Sequence, residues 1–149
     1  MQSSDNMKPS ARLTEMDPRF PSGEWVGFWI QRGSGRQTMS LHLWFGDGLA
    51  NGVGSDIVGR FTMQGTYDLK NGRCHLNKQY QRAHRVQYEG NSEGDELWLW
   101  GIWQLRQDRG GFHIWPKGAN DPTLCRANAA REIPLSTAGR ISLVPVVIS

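Results

Sequence analysis

The chain has 149 residues, 38% hydrophobic and 21% charged, with a formal net charge of +3 and a pI near 9.1. That length suits one domain with a proper core, and the composition excludes a disordered chain. Basic residues are scattered rather than massed: Arg32, Arg36, Arg60, Arg73, Lys78, Arg82, Arg85, Arg106, Arg109 and Lys117 alternate with acids. This is the pattern of a mixed-sign soluble surface, so nucleic acid is not the expected partner.

Residues 1–21 form a polar arm broken by Pro9, Pro18 and Pro21, with one helical turn expected around Leu13–Met16. The arm has no basic-then-apolar leader, and no later stretch has the roughly 18 unbroken apolar residues of a membrane helix. The expectation is a cytoplasmic protein without a membrane partner. Cys74 and Cys125 stand apart with no CxxC pairing and read as free thiols.

The zone 22–118 carries nearly all the aromatics and glycines, including the seven Trp of the chain. In Met39–Phe45, the residues Met39, Leu41, Leu43 and Phe45 share one face; in Phe61–Tyr67, so do Phe61, Met63 and Tyr67. A period of two is that of a half-buried strand. Turn signals fall between such runs: Gly46-Asp-Gly48, Asp68–Gly72, Gly90–Gly94 and Asp108–Gly111. Strands are predicted at 23–32, 37–46, 49–55, 57–68, 72–81, 84–90, 95–105 and 110–116. Short turns joining about eight strands, with no crossover helix, predict an all-β fold: a single antiparallel up-and-down barrel. The zone 119–149 is expected to form a tail, with a short helix at Leu124–Glu132 and an apolar end, Ile141–Ile148, packing on the barrel or a partner.

The opening Gly23-Glu-Trp25-Val-Gly27-Phe-Trp29 resembles the first-strand signature of calycins. More specific is the ordered series Gly52-x-Gly54-x-Asp56-x-x-Gly59-x-Phe61, Gly65-x-Tyr67, Lys78-x-Tyr80, His84-x-Val86-x-Tyr88-x-Gly90, Gly101-x-Trp103 and Gly111-Phe112. It resembles the substrate-recognition barrel of the cyclin-binding F-box protein, over residues 23–116 and without an F-box. The resemblance implies a lipocalin-like barrel and a habit of binding peptides or small ligands. It does not imply a ligase role.

The strand phase places Lys78 and Tyr80 on one face of the fifth strand and His84 and Tyr88 on one face of the sixth, as antiparallel neighbours. Polar tips among apolar groups are the best candidate ligand site, joined by Asp56, Trp29 and Trp103. Alternatives stay open: Lys78 and the tyrosines at the rim with their tips in water, and Asp56 capping a turn or pairing with Lys78. The glycines Gly52, Gly54, Gly59, Gly65 and Gly101 lean towards open interior space.

Trp44, Trp98, Trp100 and Trp115 fall on the outer face, where the tail or a homodimer partner is expected to cover them. A bulge in the seventh strand would instead turn Trp98 and Trp100 inward. The four His share no metal-ligand spacing and no nucleophile motif is present, so no metal, cofactor or catalytic residue is expected. The leading reading is a non-catalytic binding module whose barrel cavity takes a peptide terminus or small organic ligand. The alternatives are a small-molecule enzyme or haem barrel using His113, whose phase points it outward, and an oligomerising barrel with a filled interior.

Overall fold

The computed structural model describes residues 13–92 and 97–124. Eight strands run in chain order: β1 (Gly23–Gln31), β2 (Gly35–Gly46), β3 (Leu49–Asp56), β4 (Arg60–Asp68), β5 (Arg73–Tyr80), β6 (Arg85–Ser92), β7 (Leu99–Leu105) and β8 (Asp108–Pro116). Each pairs antiparallel with its neighbour, and β1 pairs with β8, so the sheet closes into an up-and-down barrel. Closure leaves no edge strand exposed.

The predicted alternation holds through the register. Met39, Leu41, Leu43 and Phe45 are buried in one core with Phe61, Met63, Leu76, Leu99, Phe112 and Ile114. Three departures from the predicted elements stand out. The strand expected from residue 57 starts at Arg60, because Asp56 Oδ1 accepts hydrogen bonds from the backbone N–H of Val58 (2.9 Å) and Gly59 (3.3 Å) and bends the chain. The last hairpin turns at Arg106–Gln107 rather than at Asp108–Gly111, which belongs to β8. No helical turn forms at 13–16, where Glu15 N–H donates instead to Phe45 O at 2.9 Å.

The arm also contributes a core residue. Phe20 is fully buried, its ring 4.8 Å from Tyr67 and 5.4 Å from Phe45, so it plugs the barrel end where β1 begins. A helical segment begins at 122–124; the remainder of the expected helix and the apolar end 141–148 lie outside the described residues.

Candidate functional site

The strands β3, β5 and β6, with β1 and β7, bring six of the seven sequence-chosen residues into one node near the opposite end. Lys78 on β5 points inward and its side chain is completely buried, as is that of Asp56. Lys78 Nζ donates to Asp56 Oδ2 at 2.6 Å and to Tyr88 OH at 3.1 Å. Asp56 Oδ2 also accepts from Tyr80 OH (2.6 Å) and from Trp29 Nε1 (3.1 Å). The Phe61 and Tyr80 rings lie 4.3 Å and 4.8 Å from the ammonium. Trp103 packs edge-on against Trp29 at 5.9 Å and donates its Nε1–H to Ile30 O. His84 is the outlier: half-buried in the β5–β6 turn, it meets the node through Tyr80, whose ring lies 5.0 Å from the imidazole and whose N–H donates to His84 O at 3.1 Å.

Burial penalises the ammonium and draws the Lys78 pKa down to about 8, while Asp56 partly restores it. Burial also opposes ionisation of Asp56, but hydrogen bonds from Lys78 and Tyr80 outweigh it and hold the carboxyl below its ordinary value. At neutral pH the pair is therefore ionised, with its attraction undiluted by water. Asp56 thus does both things the sequence left open: one oxygen caps the β3–β4 turn and the other anchors it to Lys78.

The interior around this node is filled. A Cβ on Gly54 would lie within 2.7 Å of the Phe61 ring, and one on Gly52 within 2.6 Å of Leu43 and the backbone of His42. Of the glycines expected to leave space, Gly52 and Gly54 instead admit the Leu43 and Phe61 side chains, Gly65 and Gly101 face the backbone of the neighbouring strand, and Gly59 has nothing within 4 Å. A concavity of about 550 Å³ lies at the plugged end, among Tyr67, Arg73, His75 and Glu89, and another of about 410 Å³ lies on the wall beside Ser40, Ser55 and Ile57. Neither is lined by Lys78, Tyr80 or Tyr88, but the second reaches the node at Asp56 and Met39.

The outer face holds a second cluster. Trp98 and Trp115 are buried and Trp44 and Trp100 half-buried, so the wall is more covered than an exposed patch. Leu99 and Trp103 keep β7 in the expected phase, with Trp98 and Trp100 outside the core and no bulge. His113 also points outward, is 6% exposed, and accepts a hydrogen bond from Trp98 Nε1 at its Nδ1 (3.2 Å). Desolvation, helped by Arg36, lowers its pKa to about 3. The ring is held against Phe28 and Trp98. Cys74 is a buried thiol whose pKa burial pushes up to about 12, and Cys125 lies outside the described residues.

Sequence reasoning missed a surface. In an up-and-down barrel alternate turns share an end, so the β1–β2, β3–β4, β5–β6 and β7–β8 turns surround one mouth. Arg32, Arg60, Arg82, Arg85, Arg106 and Arg109 sit on or beside those turns, all exposed. None has a carboxylate partner among the described residues. Asp108 is the exposed acid there, since Asp56 is turned inward. Two of these arginines carry positive φ: Arg82 and Arg106, both at 57°. That left-handed conformation is the province of glycine and asparagine, and costs other residues roughly 1 kcal/mol or more.

The fold and node define a closed eight-stranded antiparallel barrel with a buried, fully hydrogen-bonded ion pair beneath an arginine-bearing mouth. Comparison with known proteins finds no matching family model, no matching curated relative and no matching solved structure.

Proposed function

We propose that this chain is a non-catalytic binding module that engages an anionic partner through the mouth, with the Lys78–Asp56 node as the rigid floor that holds the mouth in shape. The observation that carries this reading is the pair Arg82 and Arg106 at φ 57°. Glycine would form both turns at lower cost, so the guanidinium groups are kept against the conformational preference of the backbone. Strain of this kind in a binding loop is a reason to look for a ligand there. The fork of an arginine suits carboxylate and phosphate groups, which it can hold by two parallel hydrogen bonds.

The test is the pair of variants Arg82→Gly and Arg106→Gly, with immobilised heparin as the polyanion probe. Each variant is expected to be more stable by about 1 kcal/mol and to elute from heparin at lower salt. Unchanged elution would remove the mouth from the binding role.

A second reading keeps the interior as the site for a peptide terminus or small organic acid. It is favoured by the convergence of Lys78, Tyr80 and Trp29 on the single oxygen Asp56 Oδ2, since the same donors would suit a ligand carboxylate taking its place. Acetate should then raise the melting temperature of Asp56→Ala far more than that of the unaltered chain. Equal, small effects on both would leave the node purely structural.

A further inference from the structure

We infer that the partner of this mouth is an anionic phospholipid surface, onto which the barrel docks end-on without crossing it. The inference rests on the proposed mouth function and names its ligand. Charge alone would suit any polyanion, but the mouth carries more than charge. The β3–β4 turn that projects there is Ile57-Val58, and Ile57 is 76% exposed and Val58 48%. Ile57 is more exposed than any large hydrophobic residue of the eight strands or their other described turns.

These two aliphatic side chains are not held out by a loose loop. Asp56 caps the turn through the N–H groups of Val58 and Gly59, and its other oxygen is locked by Lys78, Tyr80 and Trp29. The backbone closes the turn with reciprocal bonds between Asp56 and Gly59, both 3.1 Å. The entropy of ordering the tip is thus spent in folding, before any contact with a partner. The deepest polar network in the barrel preorganises its most exposed apolar point.

Around that point stand Arg32, Arg60, Arg82, Arg85, Arg106 and Arg109. An aliphatic tip in a collar of arginines matches the layering of a membrane face, with phosphate-bearing headgroups outside and acyl chains beneath. A nucleic acid would use the arginines but has no layer for Ile57 and Val58, and the described mouth turns carry no exposed aromatic ring for base stacking. At the opposite end the acids Glu24, Asp47 and Asp68 stand among the cations Lys70, Arg73 and Lys117, so unbalanced positive charge among the described residues collects at the mouth and favours a negative plane there.

The experiment is co-sedimentation of the full chain with vesicles containing roughly one-third phosphatidylglycerol in phosphatidylcholine, against pure phosphatidylcholine, over a range of salt. Strong binding to the first, little to the second, and loss at high salt are expected. The double variant Ile57→Ser/Val58→Ser should melt as the unaltered chain does, keep its elution from heparin, and lose roughly tenfold or more in vesicle partitioning. Equal binding by the variant, or no preference for anionic vesicles while heparin retention persists, overturns the membrane inference and leaves the mouth reading standing. Competition by duplex DNA at equal phosphate that strips the protein from vesicles would assign the mouth to nucleic acid. Unchanged heparin retention in Arg82→Gly and Arg106→Gly would remove the mouth reading itself.

Discussion

The two ends of the barrel solve the same problem in opposite ways. Where β1 begins, the chain plugs the barrel with its own apolar side chain: Phe20 is fully buried on Phe45 and Tyr67, and Tyr67 OH donates to Glu15 at 2.5 Å. Charges of both signs share this end, some of them in pairs, as in Arg19–Asp17 and Lys117–Glu24. At the other end the plug is ionic, Lys78 on Asp56, and the charges above it are arginines without carboxylate partners among the described residues. One end is closed by apolar packing; the other by an ion pair beneath cations that have no carboxylate partner among the described residues, which is the contrast on which the proposed binding role rests. Stability alone does not call for the second design, since a buried ion pair is often no better than apolar residues of equal volume.

The comparison can be broken at several points. The largest effect is expected from Lys78→Ala, which strands the Asp56 carboxylate in the core: a loss of about 3–5 kcal/mol in chemical denaturation. Lys78→Met with Asp56→Asn should recover much of it, because no charge is then left buried alone; no recovery would mean that the ion pair is needed for the fold itself. Next comes Phe20→Ala at the plugged end, expected to cost about 3 kcal/mol through lost burial and the cavity left behind. Heparin elution should not change in that variant, whereas a change would show that the two ends are coupled.

A smaller, graded effect follows from His113. Its folded pKa, about 3, lies below the ordinary 6.5, so the folded state resists protonation that the unfolded chain accepts. Its contribution is complete above pH 6.5 and is lost as pH falls towards 3, at up to about 1.4 kcal/mol per pH unit. Stability measured from pH 7 to 4 should fall accordingly, and His113→Phe should flatten that slope. A slope unchanged by the substitution would place the acid sensitivity elsewhere. Because His113 sits on the outer wall, this profile should leave the comparison of the two ends intact.

Much of this was legible in one dimension. The period-two runs around Leu41 and Met63, with glycine-marked turns, suffice for the strand order and for closure. The same alternation put Lys78, Tyr80 and Tyr88 on inner faces, and the β5–β6 register brings Lys78 and Tyr88 together, whereas the reach to Asp56, two strands from β5, is set by the curvature of the closed barrel. The β7–β8 turn escaped because its left-handed residue is Arg106, where the usual marker would be glycine or asparagine. Phe20 escaped because it lies in a polar, proline-broken arm whose pattern carries no strand period. Gly52 and Gly54 misled on space, since a missing Cβ does not say which neighbour fills the gap.

What the sequence by itself determined is the barrel and the inward phase of its polar residues, because both follow from short-range periodicity. What only the tertiary structure decided is where charge collects. The mouth arginines are strewn from residue 32 to residue 109 and look diluted by the acids between them. Closure sends every second turn to the same end, so cations that alternate with acids along the chain are separated from them in space. Electrostatic fields depend on distance, and distance along the chain is lost when the barrel closes.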